Sequence, residues 1–137
     1  MIHGIGFDLC QISRIQNILD REGPDGSFFL HCFTAAERAE GRCRGNRADF
    51  YAARFAVKEA AAKAIGPGII DLRRIESLHH PDGSPYISLT EELNSVLSKK
   101  GITSLHLSVS TEGDFAGAVV LADSEEPEVN EGKLRAF

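Results

Sequence analysis

Two short segments carry the residues best suited to chemistry. Near the N-terminus runs Gly4-Ile5-Gly6-Phe7-Asp8, and near the middle runs Phe55-Ala56-Val57-Lys58-Glu59-Ala60-Ala61-Ala62-Lys63-Ala64. Each sets a single carboxylate, Asp8 or Glu59, among small residues, and the second adds lysines at helical spacing. A hard cation such as Mg²⁺ takes one or two protein carboxylates and draws its other ligands from water and substrate phosphates. The set suits one Mg²⁺ held against a pyrophosphate, with a base and an acid at hand.

The elements around these residues must bring them into place. As a strand, the first segment turns Ile5, Phe7 and Leu9 one way and Gly4, Gly6 and Asp8 the other. Close approach of a ligand and tight packing of a helix would each account for the two glycines. On a packed face Asp8 would need a partner. The second segment lies in the longest expected helix, Phe50 to Ile65, with Asp49 as its N-cap and Gly66-Pro67-Gly68 as its stop. Phe50, Ala53, Val57, Ala61 and Ala64 form one face. The other face, with Ala52, Phe55, Glu59, Ala62 and Lys63, is also mostly small or apolar, so the helix should be buried nearly all round. Glu59 and Lys63 stand at i, i+4 in the favourable order. An idle ion pair on such a helix would cost more in desolvation than it returns.

Further elements follow from the same reasoning. Ile12, Ile15, Ile18 and Leu19 make an apolar stripe on a helix from Gln11 to Arg21. Arg14 and Arg21 share its outer face, which is either solvated or a contact surface. Glu22-Gly23-Pro24-Asp25-Gly26 breaks that helix. Thr34-Ala35-Ala36-Glu37 is a capping box that opens the next one. Arg38, Arg42, Arg44 and Arg47 crowd its far end; a solvated helix terminus and a site for an external phosphate both fit that crowding. Strands are expected over Arg74 to His79 and Tyr86 to Leu89, around the turn Pro81 to Pro85. Thr90 caps a last helix with Glu91 and Glu92 in its first turn and Lys99 and Lys100 in its last. Leu105, Leu107 and Val109 mark a strand that turns at Thr111 to Asp114 into Phe115 to Ala122. The fold class is α+β: one small domain, residues 1–122, with an antiparallel sheet against a long buried helix. Residues 123–137 read as an acidic, mobile tail outside the core.

Composition narrows the function. The chain has 137 residues and a formal net charge of −5. That charge argues against general affinity for nucleic acid or anionic membranes. No apolar run approaches the ~20 residues of a membrane span. The first residues lack the basic and apolar regions of a leader, so the cytoplasm is the expected compartment. Cys10, Cys32 and Cys43 have no metal or redox spacing, and the five histidines form no pattern.

The two segments resemble the motifs of the holo-acyl-carrier-protein synthase group of 4′-phosphopantetheinyl transferases. Gly4 to Asp8 with Arg14-Ile15 looks like the first motif. Arg54 to Ala60 with Lys63-Ala64 and Gly66 looks like the second. The resemblance covers residues 1 to about 122 and implies the corresponding fold. It implies transfer of 4′-phosphopantetheine from coenzyme A to a serine of apo-acyl carrier protein, with release of adenosine 3′,5′-bisphosphate. Asp8 and Glu59 would hold Mg²⁺. Glu59, directly or through a water, would accept the serine proton. Lys63 would stabilise or protonate the departing phosphate. Lys58, Arg44, Arg47, Gly66, Gly83 and Pro85 would contact coenzyme A, with Arg44 and Arg47 at its 3′-phosphate. Arg14 and Arg21 would meet the acidic carrier protein. A homotrimer with sites shared between neighbouring subunits is implied by the family alone. Two departures stand out: Ser84 where many members have lysine, and Thr111 where many have histidine. The rival reading is a non-catalytic module that keeps the nucleotide pocket.

Overall fold

One helix organises the chain. In the computed structural model, which describes residues 1–68 and 71–124, α4 (Ala48–Ile65) lies against the inner face of a three-stranded sheet. The sheet is formed by β1 (Ile2–Gln11), β4 (Ser104–Glu112) and β5 (Phe115–Asp123) in the order β1-β5-β4, antiparallel throughout. A separate hairpin pairs β2 (Glu76–His79) with β3 (Pro85–Ser88). The α+β expectation holds, and residues 125–137 of the expected tail lie outside the described residues. Asp123 belongs to the sheet rather than to that tail, because it closes β5 opposite Ile2 and Ser104.

The glycines of β1 have a packing reason. A methyl group at Gly4 would overlap the Ala64 carbonyl oxygen, and one at Gly6 would overlap that of Ala60. Strand and helix backbones therefore touch without side chains between them, which only glycine on one element and alanine on the other permits. Ala60, Ala61, Ala64 and Val57 are fully or almost fully buried there. The outward residues of β1 do the opposite: Ile5, Phe7 and Leu9 are 65%, 59% and 58% exposed.

The remaining helices fasten α4 from its other sides. α1 (Ile12–Glu22) buries Ile15 and presents Arg14 and Arg21 outward. Its start is capped from a distance, since the Ser13 amide and hydroxyl donate to the Asp114 carboxylate in the β4–β5 turn. α2 (Ser27–Cys32), a short helix that the sequence reading passed over, packs Phe29 beside Phe33 and Tyr51. α3 (Ala35–Cys43) begins with the expected capping box, and α5 (Glu91–Lys99) with the Thr90 cap. Two local expectations fail. The N-cap of α4 is Arg47, not Asp49; Asp49 falls inside the first turn, where it accepts from the Phe50 amide and pairs with Arg47. The expected strand at Arg74 starts only at Glu76, because Asp71 draws Leu72–Arg74 into a short 3-10 turn.

Candidate active site

Asp8 comes from β1 and Lys63 from the last turn of α4. Lys63 donates to Asp8 Oδ1 and to the Phe7 carbonyl, each at 3.1 Å. The partner that Asp8 requires is thus a lysine 55 positions away. The i, i+4 pairing of Glu59 with Lys63 gives way to it. Glu59 is half-buried and enters no ion pair among the described residues. The Cys10 thiol, on the same strand as Asp8, is buried. Burial raises its pKa, Arg14 lowers it, and Asp8 and Glu59 each raise it.

The structure removes Lys58 from the coenzyme contacts. Its side chain is fully buried, and its ammonium meets three acceptors: Glu37 Oε1 at 2.6 Å, the Leu72 carbonyl at 3.1 Å and the Ile75 carbonyl at 2.8 Å. No proton is left for a phosphate. Glu37 is buried as deeply and also accepts from the Thr34 and Ser77 amides. Burial pushes Glu37 up and Lys58 down, each toward neutrality, against their mutual attraction. With every donor and acceptor matched, we read the pair as charged.

A cavity of about 730 Å³ opens on the other flank of α4. Arg44, Arg47, Gly83 and Pro85 line it. Gly66 stands apart, as the left-handed residue (φ 93°) that ends α4. Asp8, Glu59 and Lys63 are not among the cavity's lining residues. Gly83 takes a positive φ in the turn before Pro85, and Ser84 closes that turn by donating to Asp82.

Phe50, Arg54 and His79, none of them expected as site residues, also line the cavity. Arg54 is 2% exposed and stacks its guanidinium 4.6 Å from the Phe50 ring centre. Burial lowers its pKa to about 10, so it stays protonated at neutral pH. Its Nε has no acceptor among the described residues. The desolvation argument that singled out Glu59 on this helix would have singled out Arg54 too. His79 carried no comparable signal.

A glycine-bared strand carrying Asp8, an alanine helix carrying Glu59 and Lys63, and a cavity rich in guanidinium groups define the class. The chain belongs to the 4′-phosphopantetheinyl transferase superfamily, whose family model matches residues 4–120. Within it, the chain is similar to holo-[acyl-carrier-protein] synthases. That of Desulforudis audaxviator is 42% identical over 126 residues, covering 89% of this chain and 93% of the relative. The crystal structure of the Neisseria meningitidis synthase matches with a TM-score of 0.81 at 35% identity, covering 90% of this chain and all of that one. The Helicobacter pylori synthase in complex with coenzyme A matches with a TM-score of 0.74 at 29% identity, covering 87% and 99%.

Proposed function

We propose that this protein transfers 4′-phosphopantetheine from coenzyme A to a serine of apo-acyl carrier protein. The observation that carries the reading is the Asp8–Lys63 ion pair, which sets Asp8 beside the face of α4 that bears Glu59 one turn before Lys63, in a member of this superfamily. The serine oxygen bonds to the phosphorus that bears pantetheine, and the bond from that phosphorus to the nucleotide's 5′-phosphate oxygen breaks. Glu59 takes the serine proton. Lys63 gives a proton or a strong hydrogen bond to the departing phosphate, which leaves as adenosine 3′,5′-bisphosphate.

The carboxylates fit a hard cation. Both offer oxygen, Glu59 has no competing cation, and Asp8 Oδ2 takes no hydrogen bond among the described residues. No cluster of three His, Cys, Asp or Glu side chains capable of holding a metal occurs among the described residues. Asp8 and Glu59 would therefore hold Mg²⁺ with help from the pyrophosphate, and the bound ion would offset charge on the phosphoryl oxygens. Arg44, Arg47 and Arg54 suit the coenzyme's 3′-phosphate, since guanidinium pairs with phosphate in a fork. Arg14 and Arg21, exposed on α1, suit an acidic carrier protein and would chiefly set encounter rate and partner choice.

A homotrimer with shared sites completes the proposal. The sheet order sets Asp8 on one edge strand and Ser108 and Thr111, which line the cavity, on the opposite edge. One coenzyme can engage both halves where the cavity of one subunit abuts the carboxylates of the next. Ile5, Phe7, Leu9 and Phe115 form an exposed apolar patch on the sheet, suited to burial against further copies. No helix among the described residues is long and apolar enough to cross a membrane, which fits a cytoplasmic role. Mass spectrometry of apo-carrier protein incubated with coenzyme A tests the activity. One added phosphopantetheine, dependent on Mg²⁺, is the expected result; no added mass under any metal condition would reject it.

A further inference from the structure

Helix α1 starts without a cap of its own. Gln11 stands at the N-cap position but makes no side-chain bond to the first turn, and that turn holds no acidic residue. It does hold Arg14, a cation at the end of the helix where the macrodipole disfavours positive charge. The dipole gives no stability reason for an arginine there. Asp114, from the β4–β5 turn 101 positions beyond Ser13, supplies what α1 lacks. Its Oδ1 accepts from the Ser13 amide at 3.0 Å, its Oδ2 from the Ser13 hydroxyl at 2.6 Å, and its backbone carbonyl from the Ile12 amide at 2.8 Å. The bonds from the Ser13 hydroxyl and amide hold the Asp114 carboxyl below the ordinary aspartate value. A full negative charge therefore stands against the start of the helix at neutral pH.

Arg14 follows Ser13 directly. Its guanidinium carbon lies 5.9 Å from the centre of the Phe55 ring, and Phe55 is on α4 one turn before Glu59. The first turn of α1 thus sets where Arg14 stands along the face of α4 that bears Glu59. Arg21 lies in the last turn, two turns beyond the reach of the cap. We propose that Asp114 is a positioning residue for partner recognition: by closing the first turn of α1 it holds Arg14 where an acidic group of the carrier protein can meet it. The inference rests on the transferase reading, in which Arg14 and Arg21 face the carrier. It adds to that surface a residue from the opposite end of the chain that need not touch the partner itself.

Asp114→Ala removes the carboxylate and leaves the Ile12 backbone bond in place. The partner would then have to re-form the first turn on binding. The Kd for apo-acyl carrier protein, measured by calorimetry, should rise about fivefold, the worth of one cap, with the KM for coenzyme A unchanged. By charge alone, loss of a carboxylate would tighten binding to an acidic partner, so a weaker complex marks positioning. Asp114→Asn, whose oxygen still accepts from the Ser13 amide, should restore most of the affinity. A double-mutant cycle separates positioning from plain stability. Arg14→Ala should cost less binding in the Asp114→Ala background than in the wild type, whereas Arg21→Ala should cost the same in both. An unchanged or lowered Kd in Asp114→Ala, or an Arg14→Ala cost equal in the two backgrounds, would overturn the inference and leave the transferase reading standing. Failure of the wild-type protein to bind apo-acyl carrier protein would instead strike the carrier reading, and this inference with it.

Discussion

Lys58 and Glu59 are neighbours in the chain and opposites in circumstance. The lysine ammonium is sealed among Glu37 and two carbonyls, whereas the glutamate carboxylate enters no ion pair among the described residues. Their substitutions should separate fold from chemistry. Glu59→Gln should cut turnover by about 10²–10⁴ while leaving the melting temperature nearly unchanged, because it removes a proton acceptor from a half-buried position. Full activity in that variant would reject the assigned role. Lys58→Met should cost about 3–5 kcal/mol by stranding the Glu37 charge in the core. Adding Glu37→Gln should recover part of that loss, since it removes the buried charge and its one amide oxygen still accepts from the Ser77 amide, while the Thr34 amide loses its acceptor. Urea denaturation of the single and double variants measures both numbers; additive losses would contradict the pairing.

At the scale of elements, β1 and α4 matter as a unit. Gly6→Ala forces a methyl group onto the Ala60 carbonyl, which belongs to a helix held by several neighbouring elements. Neither backbone can retreat cheaply, so a loss of about 3 kcal/mol or failure to fold is expected. A melting temperature within a few degrees of wild type would show that the two elements are less tightly seated. Much of this arrangement was legible in the sequence. Period-2 alternation exposed the glycine face, alanine content marked the buried helix, and the capping box and the Thr90 cap fixed two helix starts. The failures share a cause: groups supplied from far along the chain. Nothing near Ser13 announces that Asp114 caps α1, and nothing near Lys58 announces Glu37. Lys63 likewise looked to its helical neighbour and found a strand. Local spacing nominates candidates, and only the tertiary fold assigns their partners.

For the whole molecule, the open sheet face is the decisive surface. Phe7 is a large apolar side chain that is 59% exposed, flanked by Ile5, Leu9 and Phe115. If the proposed shared-site homotrimer forms through this face, Phe7→Glu should shift the protein to a smaller species in light scattering and reduce activity with it. Unaltered mass would argue for a different use of this face. A second whole-molecule consequence follows from the bare contact between Gly4, Gly6 and α4. Side chains can slip between rotamers as a protein warms, but two polypeptide backbones in direct touch have no such slack. The spacing between the Asp8 strand and the Glu59 helix thus has no means of drifting while the native state survives. Thermal inactivation should coincide with cooperative melting when both are followed on one heating ramp, with no interval in which a folded enzyme has already gone silent.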